Sequence, residues 1–127
     1  MSARFCLFFA ALSGFFVVAT GAFAAHLLKP SLPERLYEVM QTGVQYQMFH
    51  TLALLLVGVL LKSWRSRLIK LSGLMFLLGI CCFSGSLYLL ALTGTKWFGV
   101  ITPLGGLLLL AGWLLLAIAI LRHKEYQ

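Results

Sequence analysis

The side chains best suited to chemistry in this sequence lie in the first half of one apolar run, residues 43–61. They are Gln45, Tyr46, Gln47 and His50. Amides, a phenol and an imidazole can donate and accept hydrogen bonds, and an imidazole can also ligate a haem iron. Because polar groups are costly to place against lipid, we expect these four side chains to face other helices.

Further polar residues fall at a similar depth when the other apolar runs are laid beside this one. At a helical rise of about 1.5 Å per residue, His50 lies roughly 10 Å from the outer end of its run, and Ser86 lies at nearly the same depth. We therefore expect the polar interior in the half of the membrane remote from the termini. Seven residues form a candidate pocket or packing cluster: His26, Tyr46, Gln47, His50, Ser84, Ser86 and Thr102.

Two interpretations of the histidines stay open. In the structural one, each histidine hydrogen-bonds a neighbouring helix, His50 to Ser86, and only fixes the packing. In the functional one, the cluster binds a polar headgroup or a quinone, or His26 and His50 ligate a haem between the first two helices. The apolar runs contain no Asp or Glu, which usually carry protons and sodium ions in transporters. A coupled transporter is therefore not expected.

The composition is typical of a membrane protein. Of the 127 residues, 61% are hydrophobic and 10% charged, and the mean hydropathy is +1.00. Soluble domains are about a quarter charged, and a chain of this size cannot bury so much apolar surface by itself. The formal net charge of +7 does not indicate a nucleic-acid partner. Lys62, Arg65, Arg67 and Lys70 lie between two apolar runs, where cations set membrane topology.

Four helical spans are predicted, at about residues 5–28, 43–61, 71–92 and 103–121. Each can cross a hydrocarbon core about 30 Å thick. The connections are short, which predicts an up-down bundle. The expected fold class is thus all-α, with residues 1–127 forming a single integral membrane domain. A short amphipathic helical segment at about residues 32–42 either lies in the interface or extends the second span.

Capping residues predict where two of the helices begin. Ser31 precedes Glu34 by three residues with Pro33 between them, a pattern typical of a capping box. Thr102 directly before Pro103 predicts the start of the fourth helix, with the threonine as N-cap and the proline at the first helical position.

Small residues recur at helical spacing in two of the spans. In the first span they are Ala10, Gly14, Gly21 and Ala24, and in the third they are Ser72, Gly79, Ser86 and Thr93. Small faces let membrane helices approach closely. They could serve packing within the chain or contact with partner helices.

The distribution of cations predicts the orientation. Seven of the ten Lys and Arg residues fall on the side that holds both termini and the loop of residues 62–70. The positive-inside rule therefore places the N- and C-termini in the cytoplasm.

Four stretches resemble a known family: residues 21–28 (GAFAAHLL), 46–53 (YQMFHTLA), 83–94 (FSGSLYLLALTG) and 102–113, which reads TPLGG and later AGW. The sequence is similar to the YgdD-like family, small four-helix bacterial inner-membrane proteins of unknown function with mitochondrial-type relatives. Ala24 stands where that family usually has glycine. The resemblance implies four membrane spans, an uncleaved N-terminus and a location in the bacterial inner membrane. It implies no activity.

The sequence favours a non-enzymatic accessory or assembly partner in the membrane, acting on another membrane protein or as a homo-oligomer. The alternatives are a binder or carrier of a lipid, quinone or other small molecule and, as a lesser one, a haem-binding redox protein. No catalytic residue and no resident cofactor is predicted. Cys6, Cys81 and Cys82 lack zinc-site spacing, so no metal site is predicted.

Overall fold

The computed structural model describes residues 1–124 of the chain, which contain four long helices and no strand. The helices are α1 (Ala3–Phe23), which continues as a π-helical segment (Ala24–Leu28), then α2 (Glu34–Ser63), α3 (Arg67–Thr93) and α4 (Phe98–Arg122). Each is long and apolar enough to cross a membrane. The predicted all-α membrane protein with four spans is confirmed.

Helices that follow one another in the chain pack side by side, so that α2 and α3 form the centre and α1 and α4 flank them. Residues of all four helices meet in one buried apolar cluster, which includes Cys6, Leu54, Ile69, Phe76, Leu109 and Leu116. Most of the remaining large apolar side chains are exposed on the outside, where the bilayer covers them.

The small-residue face of the third span lies against α4. A Cβ atom at Gly79 would stand 3.1 Å from the backbone nitrogen of Leu109. The Ser72 hydroxyl donates a hydrogen bond of 2.8 Å to the carbonyl oxygen of Gly112. On the other side of the molecule, the small face of α1 lies against α2, with Gly21 next to Val44. Both faces are therefore used for packing within the chain.

The segment of residues 32–42 belongs to α2, which runs without a break from Glu34 to Ser63. The predicted capping box is wrong. Pro33 occupies the N-cap position and its carbonyl accepts the first helical hydrogen bond, from the Tyr37 N–H. The Ser31 hydroxyl turns back and donates to the Leu27 carbonyl at 2.9 Å. The Ser31 side chain thus hydrogen-bonds a carbonyl at the end of the preceding helix and does not cap the start of α2.

The predicted start of the fourth helix at Thr102 is also wrong, because α4 begins at Phe98. Gly94 ends α3 with a φ of 70°, a left-handed conformation that glycine adopts without strain, and the chain reverses within a few residues. Pro103 lies inside α4. Because proline has no N–H, the carbonyl oxygen of Gly99 does not receive its helical hydrogen bond. Neighbouring helices make such prolines tolerable in membrane spans.

At Gly105 the backbones of α3 and α4 approach each other closely. An added Cβ atom would clash with the Phe83 backbone nitrogen and would stand 2.7 Å from its Cα atom. We expect Gly105→Ala to lower the free energy of unfolding by about 1–3 kcal/mol or more, as overpacking does. Thermal melting of the detergent-purified protein, followed by circular dichroism, measures the change.

The adjacent glycine provides the control for this prediction. A Cβ atom at Gly106 would stand 3.9 Å from the nearest Phe83 ring atoms, an ordinary contact distance. Gly106→Ala is therefore expected to change the stability by less than about 0.5 kcal/mol. Equal losses in the two variants would contradict the close α3–α4 contact at Gly105.

Candidate functional site

Gln47 joins three of the helices through its side chain. Its Nε2 atom donates to the Ser13 hydroxyl at 3.1 Å and lies 3.3 Å from the Ser13 carbonyl oxygen on α1. Its Oε1 atom accepts a hydrogen bond of 2.6 Å from the Tyr88 hydroxyl on α3. Ser13 also shares a hydrogen bond of 2.6 Å with Thr51, one turn further along α2. The amide is buried and both of its ends are paired.

His50, three residues further along α2, lies on a neighbouring face of the helix that contacts α4. The Trp113 indole N–H donates to its Nε2 atom at 3.0 Å, so Nε2 carries no proton in this arrangement. The proton is therefore on Nδ1, which donates to the Tyr46 carbonyl oxygen at 2.8 Å. This neutral tautomer uses its one donor and its one acceptor. The ring is 5% exposed and packs beside Phe76.

The position of His50 along α2 can be measured against the charged residues of the same helix. Glu38 precedes it by 12 residues and Lys62 follows it by 12 in one continuous helix, so both charges lie about 18 Å away along the axis. His50 therefore lies midway between the nearest charged residues on either side of it in α2. α2 begins at Glu34, nine residues before the predicted start of the second span at residue 43, and the depth of His50 in the bilayer stays a prediction.

The predicted hydrogen bond between His50 and Ser86 is wrong. The Ser86 hydroxyl donates to the Phe83 carbonyl at 2.9 Å and shares a hydrogen bond of 2.6 Å with the Thr102 hydroxyl of α4. The reason is the register of α2 against α3. Ser84 donates to the Gly43 carbonyl at 2.7 Å, which places Ser86 near the level of Gly43, about 10 Å from His50.

His26 does not join the other candidate residues. It is exposed in the π-helical segment that ends α1, whereas His50 faces α4. The structure thus does not bring the two histidines together between the first two helices. No group of three or more His, Cys, Asp or Glu side chains suited to a metal ion occurs in the described part of the chain.

Four partners in this polar interior are absent from the sequence-based cluster: Ser13, Thr51, Tyr88 and Trp113. A signal for Trp113 was available, because an indole N–H in the middle of a span needs an acceptor and His50 is the strongest one at that depth. Ser13 and Thr51 are single hydroxyls in apolar runs. Such hydroxyls often bond to their own helix, so their pairing across helices cannot be predicted from spacing.

A groove of about 880 Å³ runs between α2 and α4, with Phe83 of α3 at its floor. Two aromatic pairs line it. Tyr46 stacks on Phe83 with ring centroids 4.3 Å apart, and Phe49 lies 5.5 Å from Trp113. Along α4 the lining extends from Pro103 to Trp113, about 15 Å at the helical rise. That length corresponds to one leaflet of a hydrocarbon core about 30 Å thick.

Two polar groups of the groove lack a hydrogen bond among residues 1–124. They are the Gln45 amide and the Tyr46 hydroxyl, both on exposed side chains of α2. Gln45 lies five residues before His50, about 7–8 Å from it along the helix axis. Lipid acyl chains offer the amide no hydrogen-bond partner, so an occupant of the groove that can hydrogen-bond the amide is favoured.

The Tyr88 hydroxyl provides a direct test of the buried network. Tyr88→Phe leaves the Gln47 Oε1 atom without its donor, and we expect a loss of about 0.6 kcal/mol of stability, the average for hydrogen bonds between membrane helices. Tyr46→Phe is the matched control, since that hydroxyl has no partner in the described residues. Unfolding by a denaturing detergent measures both. A loss in the control as large as in Tyr88→Phe would contradict the network.

Comparison with known proteins identifies the family. Residues 20–106 match the family described as "Protein of unknown function (DUF423)". The chain is 44% identical over 125 residues to the "UPF0382 inner membrane protein YgdD" of Escherichia coli (strain K12), covering 98% of this chain and 95% of the relative. No solved structure matches the chain.

Relatives in other bacteria carry similar names. The "UPF0382 membrane protein" of Haemophilus influenzae is 47% identical over 116 residues, covering 91% of this chain and 92% of that protein. The "UPF0382 membrane protein SH2409" of Staphylococcus haemolyticus is 46% identical over 102 residues, covering 80% and 83%. The resemblance noted from the sequence motifs is confirmed, and this four-helix membrane protein belongs to the DUF423 family of proteins of unknown function.

Proposed function

We propose that this protein is a non-enzymatic membrane protein that binds one amphiphile in the groove between α2 and α4. The ligand class is a quinone or a similar molecule with a planar carbonyl-bearing head and an apolar chain. The observation that carries the proposal is the pairing of an aromatic groove with two unpartnered donors, the Gln45 amide and the Tyr46 hydroxyl. Both can donate to a carbonyl oxygen.

The geometry of the groove supports this ligand class. Its volume of about 880 Å³ lies within the range of small-molecule sites, and few polar groups stand among many apolar ones, as is usual for such sites. The flat faces of Tyr46, Phe49 and Trp113 favour a planar head. The groove is as long as one leaflet, so an apolar chain can lie in it parallel to the lipid chains.

The buried polar groups support a structural rather than a catalytic role for the interior. Within residues 1–124, every buried side-chain nitrogen or oxygen has a hydrogen-bond partner. Both nitrogens of His50 are engaged by Trp113 and by the Tyr46 carbonyl, so the imidazole has no free position for a substrate proton. A general base needs such a position.

The accessory or assembly role, alone or as a homo-oligomer, has weaker support from the geometry. It was motivated by small-residue faces, and those of α1 and α3 are covered by α2 and α4 of the same chain. The surface left to lipid consists mostly of large apolar side chains such as Leu52, Leu107 and Leu114. Close helix association usually requires small residues at the contact.

The inner membrane, with both termini in the cytoplasm, is the proposed location. The four spans place both termini at one end, together with Arg65 and Arg122, and relatives are named as inner membrane proteins. We expect a fluorescent protein fused after residue 127 to fluoresce, because it folds in the cytoplasm. Alkaline phosphatase fused after Lys96 is expected to be active. The opposite pattern would overturn this orientation.

The ligand hypothesis is tested with a benzoquinone that carries a decyl chain, added to the detergent-purified protein. Because Trp113 lines the groove, we expect saturable quenching of tryptophan fluorescence. Gln45→Leu is expected to weaken binding about fivefold or more, as loss of one hydrogen bond of about 1 kcal/mol does. Gly106→Leu is expected to abolish it, because the new side chain projects into the groove beside Phe83.

Two variants serve as controls for the ligand test. Thr42→Val removes a polar group from the exposed face of α2 outside the groove lining, and Gly106→Ala adds only a methyl group. Both are expected to bind like the parent protein. Equal binding by all four variants would reject the groove. A protein copurifying with the chain from native membranes and lost in Gly106→Leu would favour the accessory role instead.

A further inference from the structure

A second cavity, of about 470 Å³, lies at the end of the molecule that holds the chain termini. It is formed by the connection between α2 and α3 and by the end of α4. Four cationic side chains line it: Arg65, Arg67, Arg122 and Lys124. They come from two segments far apart in sequence, which the packing of α3 against α4 brings together.

The cavity has a rigid wall built from two aromatic rings. Trp64 and His123 stack with centroids 3.7 Å apart and an interplanar angle of 12°. Trp64 also packs against the buried apolar cluster of the bundle. The stack therefore fixes the chain after α4 to the α2–α3 connection, and it holds the cationic groups of both segments around one space.

The charges at this cavity have no acidic counterpart among the described residues. Glu34 and Glu38 stand at the beginning of α2, at the other end of the molecule, and Glu125 lies outside the described residues. The first turn of α3 also faces this region. The N–H groups of Arg67 and Leu68 have no acceptor within residues 1–124, while the Ser66 hydroxyl accepts from the Ile69 N–H. Helix N-termini favour anions.

We propose that this cavity binds the phosphate group of an anionic membrane phospholipid. The planar, positively charged guanidinium group of arginine can donate two parallel hydrogen bonds to the oxygens of a phosphate. The position at the membrane surface and the apolar lining from Leu68 and Ala119 favour a lipid phosphate over a free one, because acyl chains can continue along the bundle. This inference is independent of the groove between α2 and α4, which lies on another part of the molecule.

Topology alone offers a competing explanation of the same charges. Cations on the cytoplasmic side direct membrane insertion wherever they stand in a loop, without forming a site. Lys62 and Lys70 distinguish the two explanations. They lie at the same end and carry the same charge, but neither lines the cavity. If the cavity is a lipid site, lipid binding depends on Arg67 and Arg122 and not on these lysines. If the charges act only as a topological signal, replacing any of the four has the same effect.

The experiment uses the full chain in zwitterionic detergent micelles with added phosphatidylglycerol, phosphatidylcholine or inorganic phosphate. A ligand that binds the folded state raises the melting temperature with its concentration. We expect phosphatidylglycerol to raise it in a saturable way and phosphatidylcholine to leave it unchanged. Arg67→Gln and Arg122→Gln are each expected to weaken the apparent affinity about fivefold, and Lys62→Gln and Lys70→Gln to leave it within twofold.

The outcomes separate the possibilities. Equal weakening in all four variants, or equal stabilisation by both lipids, would overturn the site and leave only a topological signal. Stabilisation by inorganic phosphate, lost in the arginine variants and not exceeded by phosphatidylglycerol, would keep the phosphate site and overturn the lipid as its source. Melting in phosphatidylcholine alone checks that each variant is folded. None of these results depends on quinone binding, so the two proposals can fail separately.

Discussion

The structure depends on one constraint: a polar side chain in the middle of a bilayer must find its partner within the protein. Two such side chains stand three residues apart on α2 and face different ways. Gln47 turns to α1 and α3, where it bonds to Ser13 and Tyr88, and His50 turns to α4, where it accepts from Trp113. One helix is therefore hydrogen-bonded to the other three. Together with the glycine contacts between α3 and α4, these bonds fix how far along its axis each helix lies.

Hydrogen bonds between membrane helices contribute modestly, typically under 1 kcal/mol each, so contact area must supply most of the stability. Where α3 meets α4, the close approach at Gly79, Gly105 and Gly112 provides this contact area. Between α2 and α4 the contact is different, because the bulky rings of His50 and Trp113 meet there. The rings keep the two backbones apart, and the groove is the space that remains toward Pro103. The same residue pair thus joins α2 to α4 and creates the groove between them.

The sequence predicts the four helices and their small-residue faces well, because both depend on local composition and on helical spacing. It does not predict the register between helices. The predicted pairing of His50 with Ser86 is wrong because Ser84 bonds to Gly43, which sets a different register between α2 and α3. Register depends on loop geometry and on which hydroxyls pair across helices. Thr102 illustrates the point: its hydroxyl was predicted to cap a helix, and it bonds to Ser86.

Trp113 is both a wall of the groove and the hydrogen-bond donor to His50, so the shape of the groove is coupled to the packing of the bundle. An occupant that displaced the indole would leave the Nε2 atom of the buried His50 imidazole without its hydrogen-bond donor, which is costly. The groove wall is thereby held in place before anything binds. Preorganisation of this kind lowers the ordering cost of binding and favours flat ligands that fit the existing shape. Both cavities open where lipids can reach them, so recognition by this protein is expected to take place from within the membrane plane.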